Sequence, residues 1–567
     1  MHHISIKTSM LTGKITYSFF QVALLFFLIT SCNNSSDIPE QVVVNSPEEF
    51  QQKSTDIIKN YLELIEKNNG KINDSITLSM NSQVMRIYEN NRMNPAWSEN
   101  NQWYPQADSL FDFIRNSKLF GLFPEDYHYK QIASVRTRFY NDSLIEGDRK
   151  NVSLWVMTDL LMTDAFIHIL KDIKLGRLPH DSITLRNDSV LDNDFYWQQF
   201  YVLQKRGSLE AIVQRLEPKH NGYHQLKAGI KKFIENAGDK EYTIVPSPKD
   251  STFRVSLQRR LFEGGYISSD GVRADSVQLV RAIKEFQKNA GINVDGRAGE
   301  VTIRMLNVSP KERFVRIAIT LDRYKLLPEK MPPRYLWVNL PGYYLHLSED
   351  DSVVLYSKII CGKPITRSPV LTSFISELIT YPQWTVPQSI IEKEILPGAK
   401  KDPSYITKKG FSLLDSKGNV VNPDSVNWEK YKRSIPYKVI QGSGDANALG
   451  ILKFNFNNKY AVYLHDTNQR YLFGSSDRAM SHGCVRVQNW EELAFDILRH
   501  DTLTASWRTD SVRLWLKTKQ KHSVPVKNRL SLFIRYFTCE GKNGDIVFYD
   551  DIYGEDKMLR QKYFTGK

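Results

Sequence analysis

The stretch 463–487 constrains the fold more than any other part of the chain. It begins Tyr-Leu-His-Asp-Thr and ends Ser-His-Gly-Cys-Val-Arg-Val, so one thiol and two imidazoles fall within 25 residues. The aromatic and β-branched residues of 460–464 predict a strand that carries His465 at its end. Fifteen residues then separate His465 from Ser481, which is enough for a loop that returns the chain so that His465 faces Cys484.

The residue types in this stretch suit a thiolate nucleophile. A free cysteine has a pKa of about 8.5 and needs a neighbouring base or positive charge to ionise at neutral pH. His465 is the candidate base. Gly483 lets the backbone turn directly before Cys484, which would leave the amides of both residues free to face a developing oxyanion. The helical periodicity of 488–498 predicts that Cys484 lies just before a helix.

The pattern His-x15-Ser-His-Gly-Cys-x-Arg resembles the signature of the L,D-transpeptidases, the YkuD-type catalytic domain that cross-links peptidoglycan through an acyl-cysteine. The sequence Tyr-Leu-His-Asp-Thr is similar to the corresponding segment in the large YcbB-like branch of that family. The resemblance implies that Cys484 is the nucleophile, that His465 accepts and donates the proton, and that the Asp466 carbonyl orients the imidazole. It also implies that His482 helps the amides near Gly483 to form the oxyanion pocket. The alternative, polar loop histidines beside a buried structural thiol, is disfavoured by six matched positions at the correct spacing.

The same resemblance assigns a donor-binding surface around the thiol. Tyr463 and Arg486 would orient the donor peptide, and Ser481 of the signature would line the same surface. Trp384 lies in a segment that resembles another stretch of the family. It is a candidate for packing on substrate, with core packing as the alternative.

The implied reaction begins when Cys484 attacks the carbonyl of the L-centre at the third residue of a tetrapeptide stem. D-Ala leaves, and the side-chain amine of another stem then attacks the thioester to give a 3–3 cross-link. No metal or organic cofactor is required, because the nucleophile, base and oxyanion donors are all on the chain. The expected partners are peptidoglycan stems and, as covalent inhibitors, β-lactams of the carbapenem type. Two alternatives stay open: an L,D-carboxypeptidase in which water replaces the acceptor amine, and a non-catalytic wall-binding lipoprotein.

The N-terminus is typical of an exported protein. Residues 1–31 contain lysines followed by an apolar run, as in a signal peptide. Leu-Ile-Thr-Ser-Cys at their end resembles the bacterial lipoprotein box, which implies lipidation of Cys32 and a flexible tether over 32–51. An uncleaved anchor or a plain secretory peptide is the alternative. We therefore expect the protein in the bacterial cell envelope, facing the periplasm and held by its lipid to a membrane, the outer one being expected.

The cysteine count fits this location. The chain has four cysteines, and if Cys32 is lipidated the remaining three leave at least one thiol unpaired in an oxidising compartment. Cys361 and Cys539 lie in strand-like runs and are expected to be small buried hydrophobic residues. A disulfide between them stays open.

Length and composition indicate a multidomain globular chain. The 567 residues predict three or four domains, and 41% hydrophobic and 25% charged residues are ordinary for folded proteins. The net charge of +13 is spread along the chain, so it favours either an anionic wall or membrane partner or a basic surface with no partner. Nucleic acid is not expected as a partner, because the sequence has no nucleic-acid motif and no concentrated Lys/Arg tract.

The predicted fold is a multidomain α+β arrangement. Helical periodicity over 52–245 predicts a helical scaffold domain, and three short amphipathic helices over 251–308 resemble a peptidoglycan-binding domain, whose binding ability stays open. Alternating strands predict a β-rich catalytic domain over 334–515, with a capping insertion at about 388–448. Residues 516–567 are expected to pack on that domain as a C-terminal extension.

Two pairs of side chains could suggest metal ligands. Asp164 and His168 are four residues apart and share a helix face, whereas Asp550 and Asp551 are adjacent. A packing or solvated histidine is the simpler interpretation of the first pair, and capping of a turn is the simpler interpretation of the second.

Overall fold

The computed structural model describes most of the chain, over residues 41–145, 150–180, 191–205, 207–237, 241–268, 275–290, 292–501 and 505–567. The predicted signal peptide, Cys32 and the first part of the tether lie outside the described residues.

An α-helical domain comes first. Its helices are Pro47–Lys67, Asn81–Asn90, Pro105–Arg115, Tyr129–Ile145, Val152–Lys174, Asn193–Gln204, Leu209–Leu216 and Asn221–Ala237. The central helix, Val152–Lys174, is buried on nearly all sides. In the described part of the chain it is the one helix long and apolar enough to cross a membrane, and here it forms the core of this domain.

The Asn-Pro-Ala-Trp segment at 94–97 has a structural role. Asp159 of the central helix is fully buried and accepts hydrogen bonds from the amides of Ala96 (2.8 Å) and Trp97 (2.9 Å) and from the hydroxyl of Tyr88 (2.5 Å). Burial raises the pKa of Asp159 to about 6 despite these bonds. The turn therefore satisfies a buried carboxylate that would otherwise destabilise the domain.

The metal interpretation of Asp164 and His168 fails on their contacts. Asp164 accepts from the Met80 amide at 2.7 Å and pairs with His128 at 2.8 Å, whereas His168 lies 3.5 Å from Asp172. Among the described residues no group of three or more His, Cys, Asp or Glu side chains could hold a metal ion.

The next unit has the three predicted helices, Phe253–Glu263, Ser276–Asn289 and Glu300–Leu306. Gln287 organises the loop after the second helix, because its amide group contacts the Asp295 carboxylate and the Gly296 amide, each at 2.8 Å. The helix Pro310–Lys325 follows and connects the domains. It begins at Pro310 because Ser309 caps it by accepting a hydrogen bond from the Glu312 amide.

A nine-stranded sheet forms the centre of the catalytic domain. In spatial order its strands are Ala479–Ser481, Ser352–Gly362, Val485–Val487, Leu464–His465, Leu452–Phe456, Leu371–Thr380, His522–Arg535, Arg334–Asn339 and Tyr344–Glu349. Tyr344–Glu349 also pairs with Ser352–Gly362, so eight of the strands form a closed circuit. This β-rich domain with its helical neighbours is the predicted multidomain α+β fold.

The C-terminal segment, expected as an extension that packs on the catalytic domain, contributes a strand to the sheet itself. His522–Arg535 pairs with Leu371–Thr380 on one side and Arg334–Asn339 on the other, so it is an interior strand of the sheet. Three helices and a hairpin complete the domain. The helices are Trp490–Arg499, Ala505–Lys517 and Glu555–Tyr563, and the hairpin pairs Cys539–Lys542 with Asp545–Phe548.

Cys361 and Cys539 are both buried and both free, so they form no disulfide with each other. Asp550 accepts from Arg304 at 2.7 Å and Asp551 from the Tyr536 hydroxyl at 2.6 Å, which are structural contacts at a turn.

The capping insertion has a sheet and a core of its own. Its strands are, in spatial order, Trp384–Thr385, Lys438–Gln441, Phe411–Leu414 and Val420–Val421. Helical residues 388–401, with a π-helical turn at Ile391–Ile395, pack on this small sheet through Ile391, Ile395 and Leu396. The sheet begins at Trp384, four residues before the boundary expected from sequence.

Candidate active site

Strand alternation brings four of the predicted residues to one face of the large sheet. Leu464–His465 pairs in parallel with Val485–Val487, and Leu464 lies opposite Val485. Both of these side chains are buried in the core. Since side chains alternate across a strand, the residues flanking them face the other way. The side chains so placed on that outer face are Tyr463, His465, Cys484 and Arg486.

Two local predictions around this site are wrong. The strand expected over 460–464 contains only Leu464 and His465, because the Asn458 side chain bonds the backbone of Tyr460 and Val462 and holds them in a turn. Cys484 precedes the strand Val485–Val487 and not a helix. The next helix begins only at Trp490, six residues after the cysteine.

His465 is held as a neutral base. Its ring is 4% exposed, and its Nδ1 hydrogen bonds the Asp466 carbonyl. Because a carbonyl oxygen can only accept, Nδ1 carries the proton and Nε2 keeps its lone pair. Burial, reinforced by the positive charge of Arg486, lowers the pKa of His465 to about 3.

Asp466 is fixed by contacts that sequence reasoning did not find. Its carboxylate accepts from Arg470 at 2.7 Å and from the Ile451 amide at 3.1 Å. Gly450, at φ +62°, lies so close that a Cβ there would be 2.3 Å from the Asp466 Oδ2 atom. Gly450 therefore allows the approach that places the Asp466 carbonyl against the imidazole.

The Cys484 thiol lies among a phenol and two cations. Burial raises the pKa of Cys484, while hydrogen bonding to Tyr463 and the charges of Lys453 and Arg486 act in the opposite direction. Lys453 Nζ is 4.0 Å from the centroid of the Tyr463 ring, and Lys453 lies opposite His465 in the neighbouring strand. Lys453 was missed because it lies outside the motif, although the alternating pattern of Leu452–Phe456 could have indicated it.

The turn before the cysteine is internally bonded. Ser481 Oγ donates to the Cys484 carbonyl at 2.5 Å and accepts from the Gly483 amide at 3.1 Å. Gly483 has φ +119°, which only glycine adopts readily. The Gly483 amide is thus occupied, contrary to our expectation, and Ser481 is 3% exposed and shapes the turn without facing a donor site. Within the described residues no acceptor contacts the Cys484 amide, which leaves it as the candidate oxyanion donor.

His482 contacts the cap. Its Nε2 lies 2.5 Å from Glu394 of the π-helical turn, and about a third of the side chain is exposed. This position is at the boundary between cap and sheet. Its predicted task in the oxyanion pocket stays a prediction.

Arg486 and Trp384 both border the site. Arg486 donates to Gln469 at 3.0 Å, and its buried Nε has no hydrogen-bond partner in the described part of the chain. Burial lowers the pKa of this guanidinium. Trp384 packs on Phe411 of the cap, with ring centroids 6.1 Å apart, while its indole faces the Tyr463 hydroxyl. Trp384 therefore belongs to the cap core and also borders the thiol site.

Comparison with known families gives three matches along the chain. Residues 82–229 match a scaffold domain, 251–306 a putative peptidoglycan binding domain, and 333–503 the L,D-transpeptidase catalytic domain. The third match contains the whole thiol site and the cap.

A curated relative is named as a putative L,D-transpeptidase from Haemophilus influenzae. It is 37% identical over 244 residues, which cover 43% of this chain and 48% of the relative. The chain therefore spans about half the length of this curated relative.

Solved structures with detectable similarity include an L,D-transpeptidase from Stackebrandtia nassauensis, at 15% identity and a TM-score of 0.19 over 52% of this chain and 95% of the other. The avibactam carbamoyl enzyme Ldtfm is 13% identical with a TM-score of 0.15, over 46% of this chain and 92% of the other. At such scores these likenesses carry no argument about the fold.

Proposed function

We propose that this multidomain protein, which combines an L,D-transpeptidase catalytic domain with a peptidoglycan-binding domain, forms 3–3 cross-links between peptidoglycan stems through an acyl-enzyme on Cys484. The observation that carries the proposal is the shared sheet face of Tyr463, His465, Cys484 and Arg486, set by the parallel pairing of two short strands. Nucleophile, base and cation thereby stand on adjacent strands at neighbouring positions.

Acylation uses the neutral imidazole. Nε2 of His465 takes the proton of Cys484 as the sulfur attacks the carbonyl of the third stem residue. The Cys484 amide donates to the oxyanion of the tetrahedral intermediate. The imidazolium then gives its proton to the amine of D-Ala as the C–N bond breaks, which leaves a thioester. Throughout, the Asp466 carbonyl keeps the Nδ1 proton in place, so that Nε2 alone exchanges protons.

The shifted pKa values suit this sequence of steps. A buried thiol with a raised pKa and a buried imidazole with a lowered pKa are both uncharged at neutral pH. Proton transfer therefore accompanies attack on the substrate. The imidazolium formed in this environment is strongly acidic, which favours protonation of the poor amine leaving group.

The second half-reaction needs an amine in preference to water. The side-chain amine of an acceptor stem attacks the thioester, loses a proton to His465 and forms the cross-link as Cys484 leaves. The cap lies next to the thiol through Trp384 and Glu394, so it is placed to exclude water from the acyl-enzyme. The partly unsatisfied guanidinium of Arg486 would bind a carboxylate or carbonyl of the donor, with Tyr463 beside it.

The surroundings of the enzyme follow from the same proposal. The matches to a catalytic and a peptidoglycan-binding domain support a location with peptidoglycan in the cell envelope. We propose that Cys32 is lipidated and holds the protein to a membrane, facing the periplasm. Fatty-acid labelling of cells expressing the wild type or Cys32→Ala tests this, because label on both proteins would contradict it.

Product analysis tests the reaction. Incubation with disaccharide-tetrapeptide should release D-Ala and yield dimers linked between the third residues of two stems, as detected by liquid chromatography and mass spectrometry. The variant Cys484→Ala should yield neither. Tripeptide with no dimer would identify a carboxypeptidase, and unchanged substrate with retained sacculus binding would identify a wall-binding protein.

A further inference from the structure

A long aromatic groove lies on the catalytic domain away from the thiol. Trp337, His346 and Tyr356 stand directly opposite one another on three neighbouring strands. Tyr344 completes the set, and successive rings are nearly parallel: Trp337 to His346 at 6.4 Å, His346 to Tyr344 at 5.7 Å and Tyr344 to Tyr356 at 5.6 Å between centroids. Tyr356 is 55% exposed and presents its ring at the end of this series.

The groove has two connected parts. One, of about 450 Å³, lies over the aromatic rings, and the other, of about 560 Å³, continues beside it. Both are bordered by Tyr356, Lys542 and Tyr549. Each part is within the usual range for ligand sites, about 300–1,000 Å³. Together they suit an extended ligand longer than a single sugar ring.

The second part joins the groove to two other regions. One wall consists of residues 289–290 and 292–294, at the end of the second helix of the unit that matches a peptidoglycan-binding domain. The other wall is formed by 474–478, which belong to the loop that connects His465 to Ser481. The groove thus lies between the peptidoglycan-binding unit and the loop that carries the thiol site.

The polar groups of the groove are mostly uncharged or already bonded. Glu540 in the floor accepts from Asn339 at 3.0 Å, from Tyr549 at 2.9 Å and from Tyr344. Burial lowers the pKa of His346 to about 4, so its imidazole is neutral and can donate and accept. Lys288, Lys358 and Lys542 add positive charge along the second part of the groove. Rings that stack on apolar faces, with amides, hydroxyls and a neutral imidazole around them, suit a polyhydroxylated, N-acetylated sugar.

The groove and the thiol lie on the same face of the sheet. Ile360, Lys358 and Tyr356 alternate along one strand, and Ile360 lies opposite Arg486, so all share the face that carries Cys484. Tyr356 and Ile360 are separated by about 13 Å of strand. An extended tripeptide spans about 10 Å. A tripeptide stem that extends from a sugar at Tyr356 along this strand would therefore point toward Ile360 and end short of it.

We propose that this groove binds the glycan strand of peptidoglycan, a polymer of β-1,4-linked N-acetylated amino sugars, and that Tyr356 is its exposed stacking platform. The identity of the polymer rests on the proposed function, whereas the site itself rests on the groove. Binding there would orient a donor strand so that its stems pass toward Cys484.

Binding of peptide-free glycan strands to the full-length protein tests the proposal. We use the Cys484→Ala background and isothermal titration calorimetry, so that no turnover contributes. Tyr356→Ala should weaken binding at least tenfold. Tyr201→Ala is the matched control, since Tyr201 is 51% exposed on the helical domain, and it should bind as well as the parent. Unchanged melting temperatures should show that both variants fold.

The outcomes separate this proposal from the catalytic one. In the background with Cys484 intact, Tyr356→Ala should be acylated by a carbapenem at the wild-type rate. Glycan binding that is absent, or equal in Tyr356→Ala and its parent, would overturn the proposal that the groove binds glycan. This holds even if cross-linking is observed. Glycan binding that depends on Tyr356 supports the groove even if no cross-link forms. Preferential binding of free stem peptides, lost in Tyr356→Ala, would also overturn it by indicating a peptide site.

Discussion

At the scale of single residues, the proposed mechanism requires that the Cys484 thiol and the His465 imidazole stay uncharged until substrate binds. Burial raises the pKa of the Cys484 thiol and lowers that of His465 to about 3. Below the raised pKa, the thiolate fraction increases about tenfold per pH unit. Alkylation of Cys484 by iodoacetamide should therefore accelerate about tenfold per unit from pH 6 to 8. A rate that is constant below pH 7 would contradict this, since it would indicate a preformed thiolate–imidazolium pair.

Lys453 supplies a second residue-scale prediction. Its positive charge beside the Tyr463 ring favours the thiolate, so Lys453→Met should raise the pKa of Cys484 further and slow alkylation at pH 8 several-fold. The control is Lys459→Met, because Lys459 lies over the half-exposed ring of Tyr460 and contributes no charge to the thiol. Equal alkylation rates for the two variants would show that Lys453 does not influence the Cys484 thiol.

The motif predicts the reacting residues from sequence because they lie together within 25 residues. The supporting residues were not predictable in the same way. Gly450 and Lys453 reach the site only through the antiparallel pairing of Leu452–Phe456 with Leu464–His465, and Glu394 reaches it from the cap. Their roles depend on register and docking, which no local pattern specifies.

At the scale of elements, helices and long strands were predicted well, whereas the shortest elements were not. Val152–Lys174 and Ser352–Gly362 have periodicities long enough to determine their type. Residues 460–464 have strand propensity, but Asn458 bonds their backbone and Ala461 adopts φ +54°, so side-chain competition outweighs propensity. The central position of His522–Arg535 is a pairing between distant segments and had no sequence signal.

The cap provides a prediction at this scale. Glu394 pairs with His482 across the boundary of cap and sheet, and an exposed pair of this kind contributes about 0.2–1 kcal/mol. Glu394→Gln should therefore increase amide hydrogen exchange in 388–401 by up to about fivefold, as the cap separates from the sheet more often. Glu392→Gln is the control, since Glu392 pairs with Arg433 within the cap. An equal increase in exchange for Glu392→Gln would contradict a specific role for the Glu394–His482 contact.

At the scale of the whole molecule, the helix Pro310–Lys325 connects the domains. Asp322 accepts from Lys325 at 2.8 Å and from the Arg177 amide at 2.8 Å, and Lys325 donates to the Asp172 carbonyl at 2.6 Å. Asp322 and Lys325 are buried, and removing one partner of a buried ion pair costs about 3–5 kcal/mol.

Asp322→Ala should therefore lower the melting temperature of both the helical and the catalytic domain in calorimetry. Asp74→Ala is the control, because Asp74 is 98% exposed and pairs only with Lys71 at the surface. If Asp322→Ala left the catalytic domain unchanged, this helix would not couple the two domains.

The kinds of domain were predictable because each has its own periodicity and motif, and the family matches at 82–229, 251–306 and 333–503 are a scaffold, a peptidoglycan-binding and a catalytic domain. The groove between the second and third units was not predictable. Its rings come from three strands and a distant hairpin, so they become neighbours only in the closed sheet.

The central claim is that Cys484 is a nucleophile that forms an acyl-enzyme. Intact-protein mass spectrometry after incubation with a carbapenem tests it most directly, followed by peptide mapping. We predict a mass increase of one carbapenem, located on Cys484 and absent from Cys484→Ala. An unmodified protein, or an adduct located on another residue, would contradict the account.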